Sequence, residues 1–190
     1  RMSKQGIGLE LSPKYAAHAE QRLQEAAGSS RPRSKIHRMS ASELHGVEKP
    51  SSVDQCISSP PYWNILNQRR TADLKDVRHY GNLDGDIGTI EGYTDFLDAA
   101  ASVFRDVLVA LKPGAYCCIV MMDLRKKSQF FPLHSDLAAR LVTSGYVFDD
   151  LIIWNRQSEY NNLRPLGFPA VFRVNKVHEY VLLMQKPKSS

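Results

Sequence analysis

The chain holds 190 residues, 43% hydrophobic and 24% charged, enough for one domain with a single sizeable core. Its formal net charge of +5 and pI near 9.1 fit a polyanionic partner such as nucleic acid. No apolar stretch approaches the roughly 20 residues that cross a bilayer, no signal-peptide pattern is present, and Cys56, Cys117 and Cys118 form no C-x-x-C pair, so a membrane-spanning helix, a disulfide scaffold and a zinc site are excluded and an intracellular protein is expected.

Gly6 to Leu11 reads as a short strand followed at once by a helix. Ser12 suits the N-cap and Pro13 the first helical position, where its missing N–H costs nothing. Tyr15, Ala16, Ala19, Leu23 and Ala26 mark the apolar face of that helix, and Gly28 its end. A serine-, proline- and arginine-bearing loop covers Ser29 to Ser34, and a second strand is expected over Ser34 to Met39. Val53 to Ser58 is a third strand, running directly into Pro60 and Pro61.

Trp63 to Gly92 is polar and glycine-bearing without periodicity, and is read as a long functional loop. Tyr93, Phe96, Leu97, Ala100, Val103, Phe104, Val107, Leu108 and Leu111 then recur at helical spacing until Lys112-Pro113-Gly114 stops the helix. Ala115 to Met122 is a nearly unbroken apolar run, the pattern of a strand covered on both faces. Phe131 to Ser144 forms another amphipathic helix, ended by Gly145, and Val147 to Trp154 and Val177 to Met184 are the last strands. Between them lies a second loop, Asn155 to Asn175. Alternating strands and helices predict an α/β fold with a mostly parallel sheet and helices on both faces. Ligands in such sheets bind beyond the carboxyl ends of strands, which points to Glu10, the segment after Ser58, and Asp123.

Ser59-Pro60-Pro61-Tyr62 concentrates unusual chemistry. Two prolines fix φ and remove two backbone donors, leaving a rigid turn whose carbonyls are free to accept. A hydroxyl precedes them and an aromatic ring follows, an arrangement suited to an exocyclic base amine. The lone pair of such an amine is delocalised into the ring. Acceptors on its two hydrogens, Ser59 Oγ and the Pro60 carbonyl, would draw the nitrogen towards tetrahedral geometry by positioning and electrostatics. Tyr62 would stack on a base turned out of its helix. The tetrapeptide alone fits a polyproline ligand about equally well; its place at a strand end favours the catalytic reading. Arg69, Arg70, Arg78, Arg156, Arg164 and Arg173 lie in or beside the two loops as candidate phosphate contacts, with Tyr160 and Phe168 as candidate base contacts.

With these residues in place, the chain resembles the cytosine-N4 and adenine-N6 DNA methyltransferase family, whose catalytic motif is (Ser/Asp/Asn)-Pro-Pro-(Tyr/Phe/Trp). Gly6 to Tyr15 resembles the family's second cofactor strand and the helix after it, and Leu111-Lys112-Pro113-Gly114 the turn before its fifth strand. Asp123-Leu124-Arg125 and His178-Glu179-Tyr180 also match recurrent family stretches. The resemblance implies a Rossmann-like methyltransferase fold, a single catalytic domain over residues 1–190, S-adenosylmethionine as cofactor and DNA as partner. It places Ser59, Pro60, Pro61 and Tyr62 in catalysis, with cofactor contacts from Glu10, Leu11, Ser40, Ala41 and Ser59. Tyr62, Trp63, Asp123 and Arg125 become substrate contacts, and no metal is implied. A carboxylate at Glu10 suits the two ribose hydroxyls, and Ser40 stands where the family often carries Asp. Asp123 is equally read as a solvated strand end paired with Arg125, Lys126 and Lys127, and His178 as a satisfied structural histidine. Serine at the first motif position is typical of enzymes that act on cytosine N4; adenine N6 is the alternative, and a non-catalytic nucleic-acid-binding partner the third reading.

The chain departs from the family in one respect: no Phe-x-Gly-x-Gly loop is present. The strand preceding that loop is central in the family's sheet, between the strand ending at Glu10 and the one ending at Ser58. The missing piece is therefore expected upstream of Arg1, or from a second chain, and residues 1–190 are expected to bind cofactor poorly by themselves.

Overall fold

A computed structural model describes residues 4–28, 33–64, 83–126, 128–158, 165–166, 169–174 and 176–189. Most of the loop expected over Trp63 to Gly92 lies outside the described residues, as do Arg69, Arg70, Arg78, Lys127, Tyr160, Arg164 and Phe168. The chain divides into two compact units, Arg1–Lys49 with Trp63–Asp106, and Pro50–Tyr62 with Val107–Ser190.

The first unit opens with β1 (Ile7–Leu9), α1 (Pro13–Ala27) and β2 (Lys35–His37). The two strands pair in parallel, Ile7 with Lys35 and Leu9 with His37, and α1 makes the crossover between them. Helix α1 begins as expected, with Ser12 at the N-cap and Pro13 in the first turn, and it ends at Gly28. Its covered stripe differs from the expected one. Ala16, Ala19, Leu23 and Ala27 face inward, whereas Tyr15 and Ala26 are exposed. An inward stripe at steps of three and four from Ala16 leaves Tyr15 and Ala26 one position off the buried face. A 3₁₀ helix follows at Ala41–Gly46, and a second at Ile87–Thr89. Helix α2 (Tyr93–Ala110) buries Phe96, Leu97, Ala100, Ala101 and Phe104, as its 3.6-residue period requires.

The second unit is built on a four-stranded sheet. Its strands are β3 (Val53–Ser58), β4 (Leu111–Met121), β7 (Val147–Asn155) and β10 (His178–Gln185), in the order β3-β4-β10-β7. Strand β4 runs parallel to β3, and β10 is antiparallel to both β4 and β7. Three strands thus share one direction and β10 is inserted against them. The sequence pattern does not reveal that reversal, because strand direction leaves no periodicity. Cys117, Ile119 and Met121 on β4 and Leu182 and Met184 on β10 are fully buried on one sheet face. Helix α3 (Leu133–Thr143) lies against β10 and β7, with Leu133, Leu137, Ala138 and Leu141 buried. Two short hairpins complete the unit, β5 (Leu124–Lys126) with β6 (Gln129–Phe131) and β8 (Pro165–Leu166) with β9 (Arg173–Val174).

Helix α2 ends at Ala110, so Leu111, expected on its apolar face, opens β4 instead, and Lys112-Pro113-Gly114 forms an excursion inside that strand. Val53 pairs with Leu111 and Gln55 with Tyr116, so five residues of β4 span two of β3. Gly114 supplies the positive φ of 79° that this excursion needs. The Lys186 ammonium donates to the carbonyls of Leu111 at 2.7 Å and Val109 at 3.2 Å, satisfying acceptors left open where α2 stops. Gly145 closes α3 at φ 106°, and a Cβ there would contact Leu108 at 3.5 Å. Gly145→Ala is expected to lower stability by about 1–3 kcal/mol through backbone strain, not crowding. Urea denaturation measures it, and an unchanged midpoint would mean that the turn relaxes freely.

Candidate active site

Three of the four strands of the second unit's sheet deliver a chemically distinct residue to the same end. Ser58 pairs with Ile119, so Ser59-Pro60-Pro61-Tyr62 leaves the sheet beside β4. Strand β4 continues to Met121 and is followed by Asp123. Strand β10 runs the other way and starts there, with Tyr180 opposite Met121. Strands lie about 4.8 Å apart. Ser59, Asp123 and Tyr180 therefore stand on three adjacent strands at the edge where ligands of open α/β sheets bind.

Ser59 is exposed, and Pro60, Pro61 and Tyr62 are half-buried. The Ser59 and Tyr62 hydroxyls share a hydrogen bond of 3.2 Å. The turn thus folds back so that the first and last side chains of the motif meet, with the two rigid prolines between them.

Trp63, expected on the substrate side, is buried and anchored elsewhere. Its indole N–H donates to the Ile90 carbonyl at 3.0 Å, and its ring meets Tyr93 edge-on at 5.2 Å. It also holds φ 54°, a left-handed conformation that costs a large residue about 1–2 kcal/mol and persists only where packing enforces it. Trp63 thus pins the chain directly after the motif.

Asp123 is buried, not the solvated strand end of the second reading, and among the described residues neither Arg125 nor Lys126 pairs with it. Its Oδ1 accepts from the backbone N–H of His134 at 3.2 Å and meets the His134 ring Nδ1 at 2.6 Å. The Lys176 ammonium lies 3.8 Å from Oδ2. Arg125 is exposed, donates to the Ser128 carbonyl at 2.8 Å and lies 5.5 Å over the Phe130 ring. His134 and Lys176 escape a sequence reading because neither lies in a motif. Their only sequence signal is proximity to predicted element starts.

His178 and Glu179 divide their roles by strand alternation. His178 Nε2 is 3.2 Å from the Tyr180 hydroxyl, a satisfied ring as the structural reading has it. Glu179 is buried on the opposite side of the strand and forms an ion pair of 2.5 Å with Arg156. That pair assigns Arg156 to the base of its loop: its backbone N–H also bonds the Val177 carbonyl at 2.8 Å, and its guanidinium lies 4.8 Å over Trp154. Arg173, on β9, is half-buried.

In the first unit Glu10 follows β1 and is half-buried. Its Oε1 accepts the Ser12 N–H at 2.8 Å, which holds the carboxylate at the start of α1, where Ser12 makes no side-chain cap. Oε2 has no partner among the described residues and remains able to accept. Leu11 is half-buried and Ala41 exposed. Ser40 caps the first 3₁₀ helix in a capping box with Glu43. Its hydroxyl accepts from the Ser42 N–H and the Ser42 hydroxyl and donates to the Gly85 carbonyl, which fills its capacity. Among the described residues no group of His, Cys, Asp or Glu is arranged to hold a metal ion.

Comparison with known proteins bears on this arrangement. The fold is shared with TTHA0409 of Thermus thermophilus, a candidate DNA modification methylase. That match has 21% identity and a TM-score of 0.54, and covers 99% of this chain and 54% of the other. A structure of the same protein complexed with S-adenosyl-L-methionine matches at 26% identity and TM-score 0.53, over 79% of this chain and 52% of the other. The PvuII DNA methyltransferase, cytosine-N4-specific, shares the fold at 18% identity and TM-score 0.55, over 80% of this chain and 50% of the other. This chain thus spans about half the length of these relatives. None of the curated protein sequences matches it. The DNA methylase family model, of the N6 and N4 type, matches residues 53–190, from the strand that delivers Ser59 to the end of the chain, and the chain belongs to that family.

Proposed function

We propose that this chain acts as a single catalytic domain that transfers a methyl group from S-adenosylmethionine to the exocyclic amine of a DNA base, cytosine N4. The observation that carries the reading is the exposed Ser59 hydroxyl at the head of a rigid two-proline turn, 3.2 Å from the Tyr62 hydroxyl. Membership of the DNA methylase family supports the reaction class. Serine at the first motif position supports cytosine, as does a fold shared with a cytosine-N4-specific enzyme.

S-adenosylmethionine, when bound, supplies an electrophilic methyl group. The donor set of the first unit fits its nucleoside. Glu10 has one carboxylate oxygen without a partner among the described residues, beyond the end of β1, the chemistry that a ribose diol needs. Leu11 and Ala41 are the neighbouring contacts. Ser40 contributes there through the 3₁₀ turn it caps, because its hydroxyl is already saturated. In the second unit Ser59 Oγ and the Pro60 carbonyl accept the two amine hydrogens, and Tyr62 stacks on the extruded base. The glycine-rich loop comes from outside residues 1–190, from a preceding segment or a second chain. Two observations support this: β3 is an edge strand with Ile57 72% exposed, and the relatives are about twice as long.

Host DNA from cells expressing the chain with its upstream residues, digested to nucleosides and read by mass spectrometry, tests the proposal. N4-methylcytosine is the expected product. N6-methyladenine would keep the mechanism and change the base. Absence of any methylated base from a folded, cofactor-supplied protein would leave a non-catalytic DNA-binding partner.

A further inference from the structure

Asp123 and His134 form a dyad that the Ser59 motif does not include. Asp123 sits just past the end of β4, and His134 is the second residue of α3. The 2.6 Å contact joins Asp123 Oδ1 to ring Nδ1. A carboxylate only accepts, so the shared proton belongs to Nδ1, and Nε2 is left with a lone pair. Nε2 has no partner among the described residues, and the His134 side chain is 20% exposed. The ring plane is held by stacking on Tyr180, with centroids 3.9 Å apart and planes 14° from parallel.

A purely structural reading makes Asp123 the N-terminal cap of α3 and His134 a packing residue. The Asp123 bond to the His134 N–H fits that reading. It does not require a second bond that fixes the tautomer, nor a bare Nε2, nor a group of titratable side chains at the sheet end where Ser59 emerges. The groups facing the dyad are Lys176 and, on β10, His178 and Tyr180; Arg125 shares the Phe130 ring with Lys176. Burial, and then Asp123, raise the Tyr180 phenol above its ordinary range, so it stays protonated and is no base. Burial, with Arg125 adding to it, draws Lys176 below its ordinary range against the pull of Asp123.

We propose that His134, oriented by Asp123, accepts at Nε2 the proton that the target amine loses during methyl transfer. This rests on the reaction proposed above. The nitrogen lone pair forms the bond to the methyl carbon, the carbon–sulfur bond breaks, and its electron pair stays on sulfur as a thioether. The nitrogen then carries one proton too many; one of its two hydrogens leaves the Pro60 carbonyl and passes through a bridging water to Nε2, while Ser59 Oγ keeps the other. The product is a neutral methylamine, and the imidazolium faces the Asp123 carboxylate until it releases its proton to water. Asp123 is the positioning residue of the pair. Ser59 and Asp123 leave adjacent strands about 5 Å apart, and His134 on α3 is held against Asp123, which keeps Nε2 within the reach of one bridging water.

The test uses His134→Asn in the full chain. Asparagine keeps an N–H donor for Asp123 and lacks Nε2. Single-turnover methylation is followed from about pH 5 to 9, the range that spans imidazole titration. The rate is expected to fall on the order of 10²-fold, and the acid limb to disappear, while the thermal midpoint holds. A variant with the parental rate and acid limb would overturn the dyad and leave the methyltransferase reading standing. A parental chain that transfers no methyl group would remove both. Independently of activity, two-bond ¹H–¹⁵N spectra are expected to show the neutral His134 ring protonated on Nδ1, a preference lost in Asp123→Asn. A ring protonated on Nε2 would overturn the proposal at any activity.

Discussion

Ser59→Ala is expected to lower the rate of methyl transfer by about 10²–10³-fold with little change in stability. Ser59 is exposed, and its only hydrogen-bond partner among the described residues is the Tyr62 hydroxyl at 3.2 Å. Removing Oγ leaves Tyr62 half-buried and able to turn to water, so no buried group is orphaned. The loss falls on the transition state, where an acceptor on the amine hydrogen gains strength as positive charge develops on nitrogen. A lowered kcat with an unaltered KM for DNA would therefore be the signature. Single-turnover kinetics beside a urea denaturation curve separate the two effects. A rate within a factor of about three of the parent would assign the work to the Pro60 carbonyl alone and demote the hydroxyl to a turn former.

Glu179→Ala is expected to destabilise the second unit by about 3–5 kcal/mol. The Glu179 carboxylate is 5% exposed and the Arg156 guanidinium 20% exposed, with 2.5 Å between them. Truncation removes the carboxylate 2.5 Å from a guanidinium that is 20% exposed and lies 4.8 Å over the face of Trp154. The lost short-range attraction and the desolvation of the guanidinium that stays behind together set the size of the effect. A second substitution follows from this: Arg156→Met in the Glu179→Leu background should recover much of the loss, because an apolar pair carries no desolvation cost. The pair also closes the base of the loop between β7 and β10, alongside the Arg156 N–H to Val177 carbonyl bond. DNA affinity is therefore expected to weaken in Glu179→Ala at temperatures where the unit remains folded. A midpoint in urea within about 0.5 kcal/mol of the parent would show that Arg156 finds solvent once its partner is gone.

Several elements are legible in the sequence because their signals are local. The run from Ser12-Pro13 to Gly28 marks α1, since an N-cap, a first-turn proline and a terminal glycine act on the backbone beside them. Helix α2 is readable from its apolar period, and β3 matches its expected bounds residue for residue. The Ser59 motif can be recognised because its rigidity is written into two adjacent prolines. The stripe of α1 differs by one position at Tyr15, since amphipathicity in a helix with so many alanines is shallow and the partner surface selects the face. Trp63, an aromatic next to the two-proline turn, is expected to face substrate, and its burial follows from Ile90 and Tyr93, about thirty residues away.

What the sequence determined by itself was the order of strands and helices, the rigid turn after β3 and the family resemblance. All of these depend on residues within a few positions of each other. Tertiary structure alone decided that β10 runs against its neighbours, that Asp123 takes His134 and not Arg125, and that Glu179 belongs to Arg156. A carboxylate has no preference among cations along the chain. Its partner is chosen by which strand ends the sheet brings together and by how much water is left between them.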